Sequence, residues 1–162
     1  MNDELNAMTK KSMPLLSLFF FLASGLCYAA DLPFSAIENA ENAVVPSGFA
    51  VDVIASEPAI GQPISFAWDH LGRLWIAECN SYADRSLNYD LTQSDRILVL
   101  SDEDGDGNFE KMEVFADHLQ RLTSVTVGFG GVWALTSPTM VFIPDADGDL
   151  VPDGPAVVKL DG

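Results

Sequence analysis

Residues 96–110, RILVLSDEDGDGNFE, lie over residues 139–153, TMVFIPDADGDLVPD, at an offset of 43. A repeat at a fixed period constrains a fold strongly, because each repeat is one supersecondary unit that cannot bury its apolar face without its neighbours. The offset fits the length of a four-stranded propeller blade, about 40–45 residues. Upstream, HLGRLWIA (70–77) and GFGGVWAL (128–135) also correspond, with Trp75 over Trp133, but at an offset of 58. The first unit therefore carries extra residues, and they must fall between Glu78 and Asp95. An insertion at one place in a repeat maps to a loop on one face, often the binding face.

From Gly48 onward the chain consists of short β-prone runs separated by Gly, Asp, Asn and Pro, at 49–54, 64–68, 74–77, 96–100, 112–115, 124–127, 132–135, 140–143 and 156–160. No window of helical length has the spacing i, i+3, i+4, i+7, so the expected class is all-β. Asp69-His70-Leu71-Gly72 and Gly128-Phe129-Gly130-Gly131 are predicted hairpin turns. The expected architecture is a partial β-propeller of about two four-stranded blades over residues 47–162, with a lead-in segment at 30–46 whose AIENAENA run could form one helical turn. A propeller closes its ring with about four to eight blades, so the chain reads as part of something larger. Trp68, Trp75 and Trp133 fall on predicted strands and are expected in the blade core.

The two stretches that follow strands in this repeat concentrate acid. DEDGDGNFEKME (102–113) packs six carboxylates into twelve positions, and DADGDLVPD (145–153) is a thinner copy. Asp102, Asp104, Asp106, Gly107 and Glu113 match the D-x-D-x-D-G-x5-E spacing of an EF-hand loop, but the flanks RILVL and MEVF are strand-like rather than helical. The reading is a calcium-binding hairpin, because Ca²⁺ takes six to eight hard oxygens that alternate carboxylates on a tight loop can aim at one point. Side-chain ligands are expected from Asp102, Asp104, Asp106 and Glu110, with the Asn108 carbonyl as a backbone ligand. Strand alternation would turn Glu113 away from the loop. In the second loop the set is Asp145, Asp147, Asp149 and Asp153, with Leu150 where the turn glycine would be. The alternative for both is a solvated acidic turn, and a bound ion would stiffen the hairpin rather than catalyse.

The net charge of −16 argues against nucleic acid and anionic lipid as partners. Within the insertion, Glu78, Asn80, Tyr82 and Arg85 offer a carboxylate, an amide, a phenol and a guanidinium that could hydrogen-bond a sugar-like polyol, which makes carbohydrate the candidate ligand. The competing reading is an ordered polar loop with Arg85 paired to Asp84 or Asp90. His70 is read as an exposed turn residue, and Arg121 could face a central channel.

ECNSYADRSLNYDLTQSDRILVLSDEDGDGNFEKMEVFAD, followed by RLTSVTVGFGGVWAL and FIPDADGDLVPDGP, resembles the N-terminal propeller of the planctomycete-type membrane-bound dehydrogenase and haem-binding proteins. Those proteins look like relatives of the quinoprotein glucose/sorbosone dehydrogenases. The resemblance covers roughly residues 46–162 and implies a sugar or alcohol dehydrogenase-like parent using pyrroloquinoline quinone and passing electrons to haem c. The chain departs from it by having no C-x-x-C-H, since Cys27 is followed by YAA and Cys79 by NSY. Catalytic and quinone-binding residues are therefore not assigned, and the chain alone is expected to be inactive as a dehydrogenase. From a different class, the alternative is a calcium-stabilised propeller that binds a glycan or protein and performs no chemistry.

Residues 1–29 read as a secretory signal, with Lys10 and Lys11 before the apolar run PLLSLFFFLASGL and small residues at Cys27 and Ala29. That run is shorter than the roughly 20 residues a membrane span needs, so no transmembrane segment is expected after cleavage. A periplasmic or secreted product follows, in which Cys79 is the one remaining cysteine, expected to be a buried small apolar residue. Intact mass of exported protein should show loss of residues 1–29; recovery with Met1 or Met8 still attached would refute the signal reading.

Overall fold

A computed structural model describes residues 34–83, 86 and 88–162. The expected signal at 1–29, the first residues of the lead-in segment, and Asp84, Arg85 and Leu87 lie outside them. The helical turn expected in AIENAENA is present as α1 (Ala36–Glu41). It starts where Ser35 Oγ accepts from Glu38 N at 3.2 Å and the Glu38 carboxylate accepts from Ser35 N at 2.8 Å. This reciprocal capping box satisfies two of the backbone N–H groups that a helix start leaves unpaired.

Among the described residues, eight antiparallel strands follow, in two four-stranded sheets. The first contains β1 (Pro63–Trp68), β2 (Leu74–Glu78), β3 (Asp95–Ser101) and β4 (Lys111–Leu119) in that spatial order. The second contains β5 (Leu122–Val127), β6 (Gly131–Thr136), β7 (Thr139–Pro144) and β8 (Val157–Leu160), again in order. Both predicted turns form. Between β5 and β6, Phe129 and Gly130 have φ of 57° and 76°, and Gly128 N donates to Gly131 O at 2.9 Å. Two positive-φ residues in a two-residue loop suit the twist of a hairpin. A Cβ on Gly131 would collide with the Ile143 carbonyl and the Phe142 ring, so β6 approaches β7 there as closely as only glycine allows.

One expected strand is corrected. Residues 49–54 are not a strand, and among the described residues nothing pairs with them. Val51–Ala55 instead border an open groove of about 730 Å³ together with Ile64, Phe66, Leu74 and Ile76. The segment thus lies against the face of the first sheet, where no ladder bond is on offer, rather than along its edge. Trp68 is a second correction: on the edge strand β1 it remains 50% exposed, with its ring 5.7 Å from that of Phe109.

The two sheets share one core, and alternation along each strand decides which side chains enter it. From the first sheet come Trp75, Ala77, Ile97, Val99 and Phe115; from the second come Leu122, Val125, Val132, Ala134, Val141 and Ile143. The repeat shows the polarity of this packing. Trp75 lies inside the shared core, whereas its counterpart Trp133 lies between the core residues Val132 and Ala134 and so points to the far face, against Phe142 at 4.8 Å. Equivalent faces therefore point the same way, and the Trp face of one sheet meets the Val/Ala face of the next. The far face of the first sheet, Leu74, Ile76, Leu98 and Leu100, is covered by Ile60, Ala55 and Phe109.

This core carries the stability of the described unit. Leu122→Ala removes a fully buried side chain between the sheets and should cost about 2–5 kcal/mol in denaturant titration, with an unchanged slope. Leu160→Ala, at a position 62% exposed, should change stability by less than about 0.5 kcal/mol.

Candidate metal loops and the adjoining rim

The β3–β4 loop gathers its acids by turning back on itself. Asp102 accepts from Gly105 N at 2.7 Å and from Gly107 N at 2.9 Å, and both glycines have positive φ. Asp104 accepts from Asp106 N at 3.1 Å, and Asp106 from Asn108 N at 2.8 Å and Asn108 Nδ2 at 3.0 Å. Each aspartate so builds an Asx-type turn, the local reason that D-x-D-G-D-G folds tightly. One carboxylate oxygen from each of Asp102, Asp104, Asp106 and Glu110 lies within 4.8 Å of the others. Glu113 is outside this group; it sits on β4 and pairs with Lys111 at 3.1 Å.

The β7–β8 loop repeats the arrangement with fewer members. Asp145, Asp147 and Asp149 each place an oxygen within 4.8 Å of the others. Leu150, at the position of the missing glycine, takes φ 69°, a conformation costly for a bulky side chain. Asp153 plays a different part, since its carboxylate accepts from Ala146 N at 2.7 Å and so ties the end of the loop to its start. Burial, with the charges of Asp149 and Asp147 also contributing, pushes the Asp145 carboxyl above the usual carboxylate range. A cation at this point would reverse that balance. All donors in both groups are hard oxygens, the chemistry that suits Ca²⁺ or Mg²⁺ rather than thiolate- or imidazole-seeking metals.

The second loop is anchored to the first sheet. Arg73 Nη1 donates to Gly148 O at 3.1 Å, while its Nε pairs with Asp69 at 2.6 Å. Asp69 also accepts from Trp75 Nε1, Leu71 N and Arg73 N, each at 2.9 Å. Burial pushes the Asp69 carboxyl up, but the bonds from Trp75 and Arg73, with help from Leu71, outweigh it and hold the group below its ordinary value. His70, beside it in the turn, is exposed.

The described residues of the insertion pair with one another across it. Tyr82 and Tyr89 form an isolated antiparallel bridge, flanked by Ala83 N to Asn88 O at 3.0 Å and Asp90 N to Ser81 O at 2.7 Å. Of its expected ligand-binding residues, Glu78 is buried on β2, where one oxygen accepts from Gly61 N at 2.6 Å and the other pairs with Arg96. Asn80 donates to Ser94 O at 3.3 Å. Tyr82 is exposed, and Arg85 lies outside the described residues. Asp90 accepts from Thr92 N and Oγ1, at 3.0 and 2.6 Å. Cys79 is buried, and burial followed by the charge of Asp95 pushes its thiol up, the opposite of what a nucleophile needs.

Asp95 is the residue the sequence concealed. Fully buried, it accepts from Ser81 N at 2.6 Å, Ser81 Oγ at 2.8 Å and Leu122 N at 2.9 Å. It thereby joins the insertion to the start of the second sheet. No spacing rule links residues 81, 95 and 122, although an acidic residue opening an apolar strand was a signal for a buried partner.

The Asp69 bonds make a pH prediction. A carboxyl with a lowered folded pKa contributes stability that is present above its unfolded value, about 3.9, and is lost as pH falls through the folded value. Asp69→Asn should cost about 1–3 kcal/mol at neutral pH, because a buried network loses its acceptors. The gap from wild type in denaturant titrations should narrow as pH drops below about 4.

Residues 35–158 match the family described as Domain of unknown function (DUF7133). No curated protein and no solved structure matches the chain.

Proposed function

Because the chain belongs to the DUF7133 family, whose function is not known, we propose from its own residues that it is two consecutive blades of a β-propeller with acidic hairpin loops that hold Ca²⁺ as a structural ion. The observation that carries the metal reading is the convergence of carboxylate oxygens to within 4.8 Å at the equivalent loop of both sheets. Unneutralised, three or four carboxylates at that separation repel one another. Asp102, Asp104, Asp106 and Glu110 would hold one ion, and Asp145, Asp147 and Asp149 the other. Bound, the ion supplies charge neutralisation and closes the hairpin.

The propeller reading is supported by the repeat and by the head-to-tail polarity of the sheets. Blades around a ring must each offer one face to the preceding neighbour and the other to the next. A core between like faces would end after two sheets. Here the Trp133 face, with Leu135 and Leu160 exposed near it, is chemically the same face that buries Trp75 in the shared core. The resemblance of its sequence to the quinoprotein dehydrogenases supports reading such a propeller as part of an exported oxidoreductase; the second reading is a calcium-stiffened glycan- or protein-binding module.

Calcium at a hundredfold excess over its dissociation constant should stabilise the fold by about 2.7 kcal/mol per site, raising the melting temperature by several degrees relative to chelator. Asp104→Asn should abolish most of the first site's increment while leaving the chelated protein as stable as wild type or more so, since it removes a repelling charge. Mg²⁺ should substitute poorly, because it demands a tighter octahedral shell. Melting that is indifferent to calcium would leave both loops as solvated turns.

A further inference from the structure

The geometry points to a binding surface apart from the acidic loops: the rim formed by Tyr82, Tyr89 and Arg121 recognises a single carboxylate carried on a ring-shaped body. Tyr82 and Tyr89 stand edge to face, 6.1 Å between centroids at 80°, and Tyr82 is 60% exposed. The Arg121 guanidinium lies 5.7 Å from the centre of the Tyr89 ring. In a chain of net charge −16, Arg73, Arg96 and Lys111 all have carboxylate partners, whereas among the described residues Arg121 and Lys159 have none and each lies over an aromatic ring. A guanidinium laid on an aromatic face keeps its in-plane N–H edge free, and that edge matches a carboxylate with two parallel bonds.

The rim is built rather than incidental. Asp95 holds Ser81 and Leu122, the immediate neighbours of Tyr82 and Arg121, so one buried carboxylate positions the exposed ring and the exposed cation. Ser81 Oγ also accepts from Arg121 N at 3.2 Å, and Gln120 Nε2 donates to Leu91 O at 2.7 Å, bracing the insertion against the β4–β5 turn. Asn88, His118 and Arg121 all take φ between 55° and 58° around this rim. Left-handed backbone at non-glycine residues costs energy and persists only where surroundings impose it.

Charge magnitude chooses among anions. The field of a −16 chain opposes a polyanion, while a lone carboxylate within a Debye length of about 8 Å responds mainly to Arg121. The ligand's ring would lie on Tyr82, which is 60% exposed. This assignment does not depend on the calcium reading.

Calorimetric titration of the full chain in saturating calcium with D-glucuronate and D-glucose, which share a ring and differ in the carboxylate, tests it. Glucuronate should bind saturably and glucose at least tenfold more weakly; Arg121→Gln should reduce glucuronate to the glucose level, with unchanged tryptophan emission and melting. Arg121→Lys should fall between, because a point charge replaces a fork. Equal binding of the two sugars, or no saturable binding of either, would overturn the assignment. So would a glucuronate preference that survives in Arg121→Gln, since the carboxylate would then be held by a cation at the acidic loops.

Discussion

The described unit depends on one packing event, the seating of the Trp75 face of the first sheet on the Val132 and Ala134 face of the second. Each sheet alone has four short strands and would present one apolar face to water. Joined, they bury an aromatic layer of Trp75 and Phe115, whose rings stand 5.0 Å apart, against branched aliphatics. The β2 and β3 strands are buried on both sides as a result, since Ile60, Ala55 and Phe109 close the opposite face of the first sheet. The acidic loops and the insertion are excursions from strands already placed by this core.

Carboxylates divide into two populations with different physics. Glu78, Asp69 and Asp95 are buried or nearly so, and each is satisfied by several donors, so that they act as fixed connectors between backbone segments. Burying such groups without partners would be prohibitive. The loop carboxylates at 102–110 and 145–149 bond mainly to their own backbone and keep lone pairs directed at one another. The first population spends its hydrogen-bonding capacity on the fold; the second retains capacity for an ion. Arg73, bonded to both Asp69 and Gly148, is where the two meet.

The insertion shows how tertiary packing reassigns residue types. A glutamate, an asparagine, a tyrosine and an arginine close in sequence invite a polyol-binding reading. Alternation on β2 instead carries Glu78 inward to Gly61 and Arg96, while Tyr82 turns outward to meet Tyr89, over whose ring Arg121 lies from another connection. The side chains that do converge come from two segments about thirty residues apart, a distance that local pattern cannot bridge.

What the sequence by itself determined is what short-range physics controls: the all-β class from period-two runs, the hairpin turns from Gly and Asp, the tight acidic loops from aspartates that bond their own backbone, and a repeat of 43 residues. The 49–54 run met the same local criteria yet is no strand, because the segment lies against the face of the first sheet, which offers no ladder bond. Trp68 and Trp133 likewise look equal to Trp75 in sequence, and only the stacking of the sheets buries one and leaves the others partly open. Tertiary structure alone chose which face of each strand became core, and it alone brought Ser81, Asp95 and Leu122 to one point. Both depend on contacts between segments far apart in the chain, whose free energy no local pattern encodes.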